Sequence, residues 1–374
     1  MCQLALLHDV GAYKTEEIDN MLCFETQDVW EHSVYGHLFF KYFSPLEDLA
    51  QVILYHHANC RELCAAPPFI AELAQILFVA DRFDVLSQSV LPSEAGFRQH
   101  FERRRNETFY SNVVDLLFVD NWEREMSRLN ESVAFAELLF QSEDGCNLES
   151  HIRMMIMVID FRSPQTVAHS FVAANAAKSL SIMCNQTQLE TDRVFLGMLL
   201  HDIGKIGIPA SILDKEGKLD PPEIEMMKRH TLMSQAILSG LVDDETLQIA
   251  VRHHERLNGT GYPLRLRGGD ISFSQRIAAI ADVFSALCCE RSYKEAYPKE
   301  AVMFILSEMC EDGLLDCRIL EILIDNYDYL MQEVEKTSRP IKEAYCKISV
   351  ENKALLVRMK EARHSGNMIS AIAC

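Results

Sequence analysis

No apolar run in this 374-residue chain reaches the length of a membrane span. Its first residues also carry no signal-peptide pattern. The expectation is a cytoplasmic protein with no membrane partner. Positive charge is in short supply as well. The 36 Lys and Arg stand against 55 Asp and Glu, for a net charge of −19, so a long polyanion is repelled and DNA or RNA is excluded as a partner. A small anion remains a candidate ligand if its pocket is locally basic. Paired CxxC motifs are missing. The twelve cysteines are scattered, the tightest being Cys288–Cys289 and Cys60 with Cys64, and they read as reduced thiols rather than a zinc site. Strand signals are scarce too. Alternation of period two is weak, whereas apolar residues recur at helical spacing through most of the chain, which predicts an all-α protein. The length suits about two domains, and 48% hydrophobic residues are ample for their cores.

What the chain does have is a dense run of ligand-type residues. It reads His201-Asp202-Ile203-Gly204-Lys205, then His230, His253-His254-Glu255, Gly261-Tyr262-Pro263, Asp282 and Arg291-Ser292-Tyr293-Lys294. Imidazole and carboxylate ligands suit first-row divalent metals such as iron, manganese or nickel. Two such ions can clamp a phosphodiester and make water a nucleophile at neutral pH. Cations nearby neutralise phosphate oxygens. A single buried histidine is usually structural, but this ordered set is not explained that way. Coarse patterning places 191–200, the residues before His230, 247–254 and 271–289 on helices, with the Gly- and Pro-rich 258–269 as a loop. Ser163-Pro164 has the form of a helix start ahead of His169.

The run resembles the HD-GYP family, bacterial HD phosphohydrolases that linearise cyclic dinucleotides. The resemblance covers about residues 150–330. It implies a metal set of His169, His201, Asp202, His230, His253, His254 and Asp282, with Asp202 bridging two divalent transition metals. His169 stands 32 residues before His201. Family members with three metals carry a Glu four residues before the His169 position. Here that residue is Gln165, a neutral amide, which argues for two metals. The resemblance further implies Lys205 at the scissile phosphate, Tyr262 against the bound nucleotide, and Arg291 and Lys294 on its phosphates. Asp202 and Lys205 are the implied catalytic pair. Ser285, Asn258 and Ser292 depart from the family's usual residues without touching the ligand set.

A second pattern is an internal repeat. His8-Asp9-Val10-Gly11 echoes His201-Asp202-Ile203-Gly204; His32 echoes His230; His56-His57 echoes His253-His254; Asp81 echoes Asp282. The step from His32 to His56 is 24 residues, and from His230 to His253 it is 23. The fold expected is therefore two HD-type helical bundles in tandem. Residues 1–90 form a degenerate HD domain, 91–149 a helical connector, 150–330 the catalytic domain and 331–374 a helical extension. The two HD domains are expected to pack within the chain, and a homodimer is left open. In the first domain Ala12 replaces the lysine, no Glu follows His57, and the interval before Asp81 is too short for a GYP loop. Structural use of that domain is favoured over metal binding, which stays open. The charged residues 98–105 read as a solvated helix face.

The expected activity is metal-dependent hydrolysis of a cyclic dinucleotide to a linear 5′-phosphorylated product. Cyclic di-GMP is the family's usual substrate. The tandem arrangement resembles Vibrio HD-GYP enzymes that open 3′,3′-cyclic GMP-AMP. The alternatives are a general HD nucleotide phosphohydrolase, against which the GYP and R-x-Y-K residues speak, and a non-catalytic signalling scaffold.

Overall fold

The computed structural model describes residues 1–12, 30–64, 66–88, 94–118, 148–162, 168–215, 217–289 and 296–365. Among these residues the regular structure is helical, and β pairing is limited to isolated bridges at Arg105–Phe109 and Asn258–Arg267. No described helix is long and apolar enough to cross a membrane. The chain divides into two compact units, Met1–Met154 with Cys346–Cys374, and Met155–Tyr345.

The first unit begins with α1 (Cys2–Leu7), α2 (Trp30–Phe43), α3 (Ala50–Tyr55), α4 (Pro68–Gln88), α5 (Glu94–Glu102) and α6 (Ser111–Leu117). Helix α3 packs on α2 and α4, and α1 and α6 also pack on α4. The buried core includes Leu4, Leu38, Phe39, Phe40, Ile53 and Leu54. A neighbouring cluster joins Phe78 and Phe83 of α4 to Phe101, Phe109 and Val114. The charged stretch 98–105 is only partly the open helix face that the sequence suggests. Helix α5 stops at Glu102, and Arg105 in the following turn is held by Glu102, Asp115 and the Ser111 hydroxyl.

The second unit contains α7 (Leu148–Arg162, from residue 155 onward), α8 (His169–Met183), α9 (Gln188–Leu200), α10 (Ala210–Leu213), α11 (Pro221–Leu238), α12 (Asp244–Arg252), α13 (Phe273–Cys288), α14 (Lys299–Glu311) and α15 (Cys317–Asp325). Its helix starts are written locally. Thr187 with Glu190, Asp220 with Glu223 and Ser272 with Gln275 are capping boxes that satisfy otherwise orphaned N–H groups, and Pro221 follows its cap directly. The ends of α9 and α12 fall at His201 and His253. The apolar faces of α9 and α13 pack on α8, with Ala173, Ala174, Ala177, Val194, Ile277 and Ala281 fully buried. Small residues on α8 and α13 allow close helix approach.

One long helix, α16 (Tyr327–Ser365), carries Pro340 in its interior and passes through Ser338 without a break. Its portion from Cys346 onward belongs to the first unit, where Ile348, Leu355 and Met359 are buried. There Glu351 accepts hydrogen bonds from Lys41 Nζ at 2.7 Å and from the Tyr42 hydroxyl.

Candidate metal centre

In the second unit, seven side chains converge from five helices. His169 opens α8, and His201 and Asp202 close α9. His230 lies inside α11, His253 and His254 follow α12, and Asp282 lies mid-way along α13. A 3₁₀ turn at 203–207 follows the pair and carries Lys205. That turn is pressed onto α11. A Cβ on Gly204 would lie 2.0 Å from the His230 carbonyl oxygen, so no larger residue fits there. The Ser234 hydroxyl locks the same turn, accepting from Gly204 N at 2.9 Å and donating to the His201 carbonyl at 3.0 Å.

The tautomers follow from the backbone. His201, His230 and His253 each donate Nδ1–H to the carbonyl three residues earlier, of Met198 (2.6 Å), Met227 (2.7 Å) and Ala250 (2.6 Å). A carbonyl only accepts, so in the neutral ring Nε2 presents a bare lone pair. His169 is oriented differently. The Ser285 hydroxyl donates to the Asp282 carbonyl at 2.9 Å, and so accepts from His169 Nδ1 at 3.2 Å. Ser285, read from the sequence as a departure, thus orients an imidazole.

The carboxylates face these lone pairs. Asp202 Oδ2 lies 3.2 Å from His201 Nε2 and 3.8 Å from His169 Nε2, while its Oδ1 lies 3.6 Å from His230 Nε2. Asp282 Oδ1 is 3.2 Å from His169 Nε2, and its Oδ2 is 3.5 Å from His254 Nδ1. Each carboxylate therefore looks two ways. Burial opposes charge on Asp202, but His201 and Lys205 outweigh it and hold the carboxyl well below its usual range. Burial is likewise outweighed at Asp282, by the His169 hydrogen bond and by His254 and His253. Burial pushes His253 well down and, helped by His230, takes His254 to about 3. His201 goes the other way: burial opposes its charge, but Asp202 and Asp282 outweigh it and raise its pKa, so a metal bound there would displace a proton. The buried His201 Nε2 has no hydrogen-bond partner, and groups of three donor atoms gather at His169–His201–Asp202 and at His230–His253–His254. This donor set fits divalent transition metals.

Residues 153–319 match the family model described as HD domain. That span is similar to an HD domain and makes up a little under half of the chain. Over 352 residues it is 29% identical to the 3′3′-cGAMP-specific phosphodiesterase 1 of Vibrio cholerae, covering 86% of this chain and 80% of that protein. Over 204 residues it is 35% identical to the 3′3′-cGAMP-specific phosphodiesterase 3 of the same organism, covering 52% and 44%. A cyclic di-GMP phosphodiesterase response regulator of Xanthomonas campestris is 38% identical over 174 residues, 44% of each chain. The chain thus spans most of the first relative and less than half the length of the other two. HD-domain phosphohydrolases are metal-dependent, in keeping with the His and Asp clusters.

Around these donor side chains, Lys205 Nζ sits 2.5 Å from Asp202 Oδ2 and is 17% exposed. The Tyr262 ring lies 4.6 Å from the His254 ring at 35°, and Lys228 Nζ lies 5.7 Å from the Tyr262 centroid. The loop that presents Tyr262 is fastened by Glu255. This buried carboxylate accepts from Leu264 N at 2.6 Å and Leu266 N at 2.9 Å. Gly261 is needed beneath it, since a Cβ there would meet Arg256 N at 2.4 Å. The fastening role of Glu255 and the clamp by Ser234 were not read from the sequence, because their partners lie across a loop and on another helix. Asp160 of α7 was also missed. It accepts from Ser170 at 3.0 Å, and burial, with Asp202 nearby, pushes its carboxyl up to about 7. Ser163, Pro164, Gln165, Arg291, Ser292 and Lys294 lie outside the described residues.

Proposed function

We propose that the second unit is a phosphodiesterase that opens a cyclic dinucleotide, 3′,3′-cyclic GMP-AMP or cyclic di-GMP, to a linear 5′-phosphorylated dinucleotide. One observation carries this reading: seven imidazole and carboxylate side chains converge, with a lysine and a tyrosine at their margin, in an HD domain whose relatives are named for those two activities. His169, His201, Asp202 and Asp282 would hold one divalent metal, and Asp202, His230, His253 and His254 a second. The two-way geometry of Asp202 supports its role as the shared ligand. Iron, manganese and nickel all suit these donors, and Gln165 in place of a Glu favours two ions over three. When bound, such ions polarise the phosphodiester and make water nucleophilic near neutral pH.

The chain's own residues do the rest. Asp202 and Asp282 stay ionised, and their negative charge keeps the cations in place. Lys205 adds a compact positive charge beside Asp202 and offsets charge that grows on the phosphoryl oxygens. The Tyr262 ring offers a flat face to a base, held by the Glu255-fastened loop. Arg291 and Lys294 bind the substrate's phosphates. Water attacks phosphorus, the bond to the 3′ oxygen breaks, and that oxygen takes a proton from solvent. The phosphate remains on the 5′ side.

The test is to load the purified protein with iron, manganese or nickel, incubate it with each cyclic dinucleotide, and identify products by mass. A linear dinucleotide bearing a 5′ phosphate is expected. No product from either substrate, in a protein shown to contain metal, rejects the reading.

A further inference from the structure

The first unit repeats the donor geometry of the second. His8 Nδ1 bonds the Ala5 carbonyl at 2.7 Å and His56 Nδ1 the Ile53 carbonyl at 2.5 Å, the same step of three residues back. His8 Nε2 lies 3.1 Å from Asp9 Oδ2, and His32 Nε2 lies 3.6 Å from Asp9 Oδ1. Three Nε2 atoms meet: His32 is 3.4 Å from His56 and 3.0 Å from His57. Asp9 Oδ1 completes the group, 3.5 Å from His56 Nε2. All four donors lie within 4.8 Å of one another.

The contacts are unfavourable as they stand. With Nδ1–H committed to Ile53, the neutral His56 ring turns a bare Nε2 lone pair toward Asp9 Oδ1, acceptor against acceptor. Asp9 Oδ1, sealed from solvent, has no hydrogen-bond partner, and neither has Nδ1 of the buried His57. Buried polar atoms left in this way cost free energy unless something joins them. A tetrahedral ion with bonds of about 2.0–2.1 Å would space its donors about 3.3–3.4 Å apart. The separations given above, from 3.0 to 3.6 Å, bracket that value.

The other half of the cluster has been diverted. Asp81 takes Arg82 Nη2 at 2.7 Å and Nε at 3.0 Å on one oxygen, Oδ2, and Arg82 is only 2% exposed. In the second unit the residue after the matching Asp282 is Val283, which brings no charge. Ala12, buried, stands where Lys205 would be.

We infer that the first unit holds a single divalent transition metal, zinc or iron, on Asp9, His32, His56 and His57, and that this ion is structural. Three nitrogens and one oxygen make a closed tetrahedral set, the form in which metals stabilise folds without an open position for substrate. Arg82 supplies the charge that a second ion would otherwise give to Asp81.

The experiment uses the full chain with the second-unit ligands removed, Asp202→Ala with His253→Ala, stripped by chelation and dialysed against cobalt(II). The expected result is about one cobalt per chain with the intense visible bands of a tetrahedral site. Adding His57→Ala should abolish both the cobalt and the bands, with helix content checked by circular dichroism. Should that variant unfold, His57→Gln takes its place. A protein that retains no cobalt with the first unit intact overturns the inference, as does undiminished cobalt in the His57 variant. Substrate turnover is not part of this readout, so its outcome is independent of the activity proposed for the second unit.

Discussion

Two clusters in one chain share a histidine geometry and differ in where their fixed cation stands. The approach of His230 to Asp202 and that of His32 to Asp9 are both 3.6 Å, and the imidazole pairs His230–His253 and His32–His56 are both 3.4 Å. In the second unit the cation is Lys205, partly exposed, on Asp202, whose two oxygens face His201 and His230. In the first it is Arg82, buried, on the far carboxylate Asp81. A lysine on a flexible stem can leave its carboxylate and meet a phosphate. A buried guanidinium bonded twice to one oxygen cannot do so cheaply. What separates the two sites is thus the position and mobility of one positive charge and the presence of a loop, more than the ligands themselves.

The strongest way to break this comparison is to remove the shared carboxylates. Asp202→Ala should strip the second unit of its metals and reduce turnover by about a thousandfold or more. Asp9→Ala should lose one ion and leave turnover at the wild-type level. Elemental analysis alongside steady-state kinetics checks both, and an unchanged metal content in Asp202→Ala would deny its bridging role. Next come the cations. Lys205→Ala should keep its metals and slow turnover about tenfold to a hundredfold, the worth of one charged hydrogen bond. Arg291→Ala should show a loss of similar size, mostly in KM. Wild-type kinetics in Arg291→Ala would place that residue outside the pocket.

A smaller effect is expected at Ser285. Ser285→Ala removes the acceptor that fixes His169, and should weaken metal retention by about tenfold, read by competition with a chelator. Smallest is the loop. Glu255→Gln replaces an acceptor of two N–H groups with an amide that can serve only one of them well, which should cost about 1–3 kcal/mol in thermal unfolding and raise KM.

Much of this was legible in the primary structure because the chemistry is carried by short ordered motifs at helix ends. His201-Asp202 and His253-His254 follow apolar helical runs, and the echo of both in the first ninety residues foretells a second cluster. What could not be read is what acts across space. Ser234 lies 30 residues from Gly204, and Ser285 lies 116 from His169. Arg82 is adjacent to Asp81 in sequence, yet nothing in the sequence says whether its guanidinium turns inward. Glu255 stood in view within His-His-Glu, but its two backbone partners belong to a loop whose path no local pattern describes.

The hydrogen bonds from Lys41 and Tyr42 to Glu351 have a bearing on how the protein is made. The partners are 310 and 309 residues apart. At about 5–20 residues per second, the ribosome releases Glu351 roughly 15–60 s after Lys41. The first unit to be synthesised is therefore the last to be completed, and the second can close while the first still waits for Ile348, Leu355 and Met359. A nascent chain in that interval exposes apolar surface meant for the end of α16, so the order of translation leaves the amino-terminal unit open for longest.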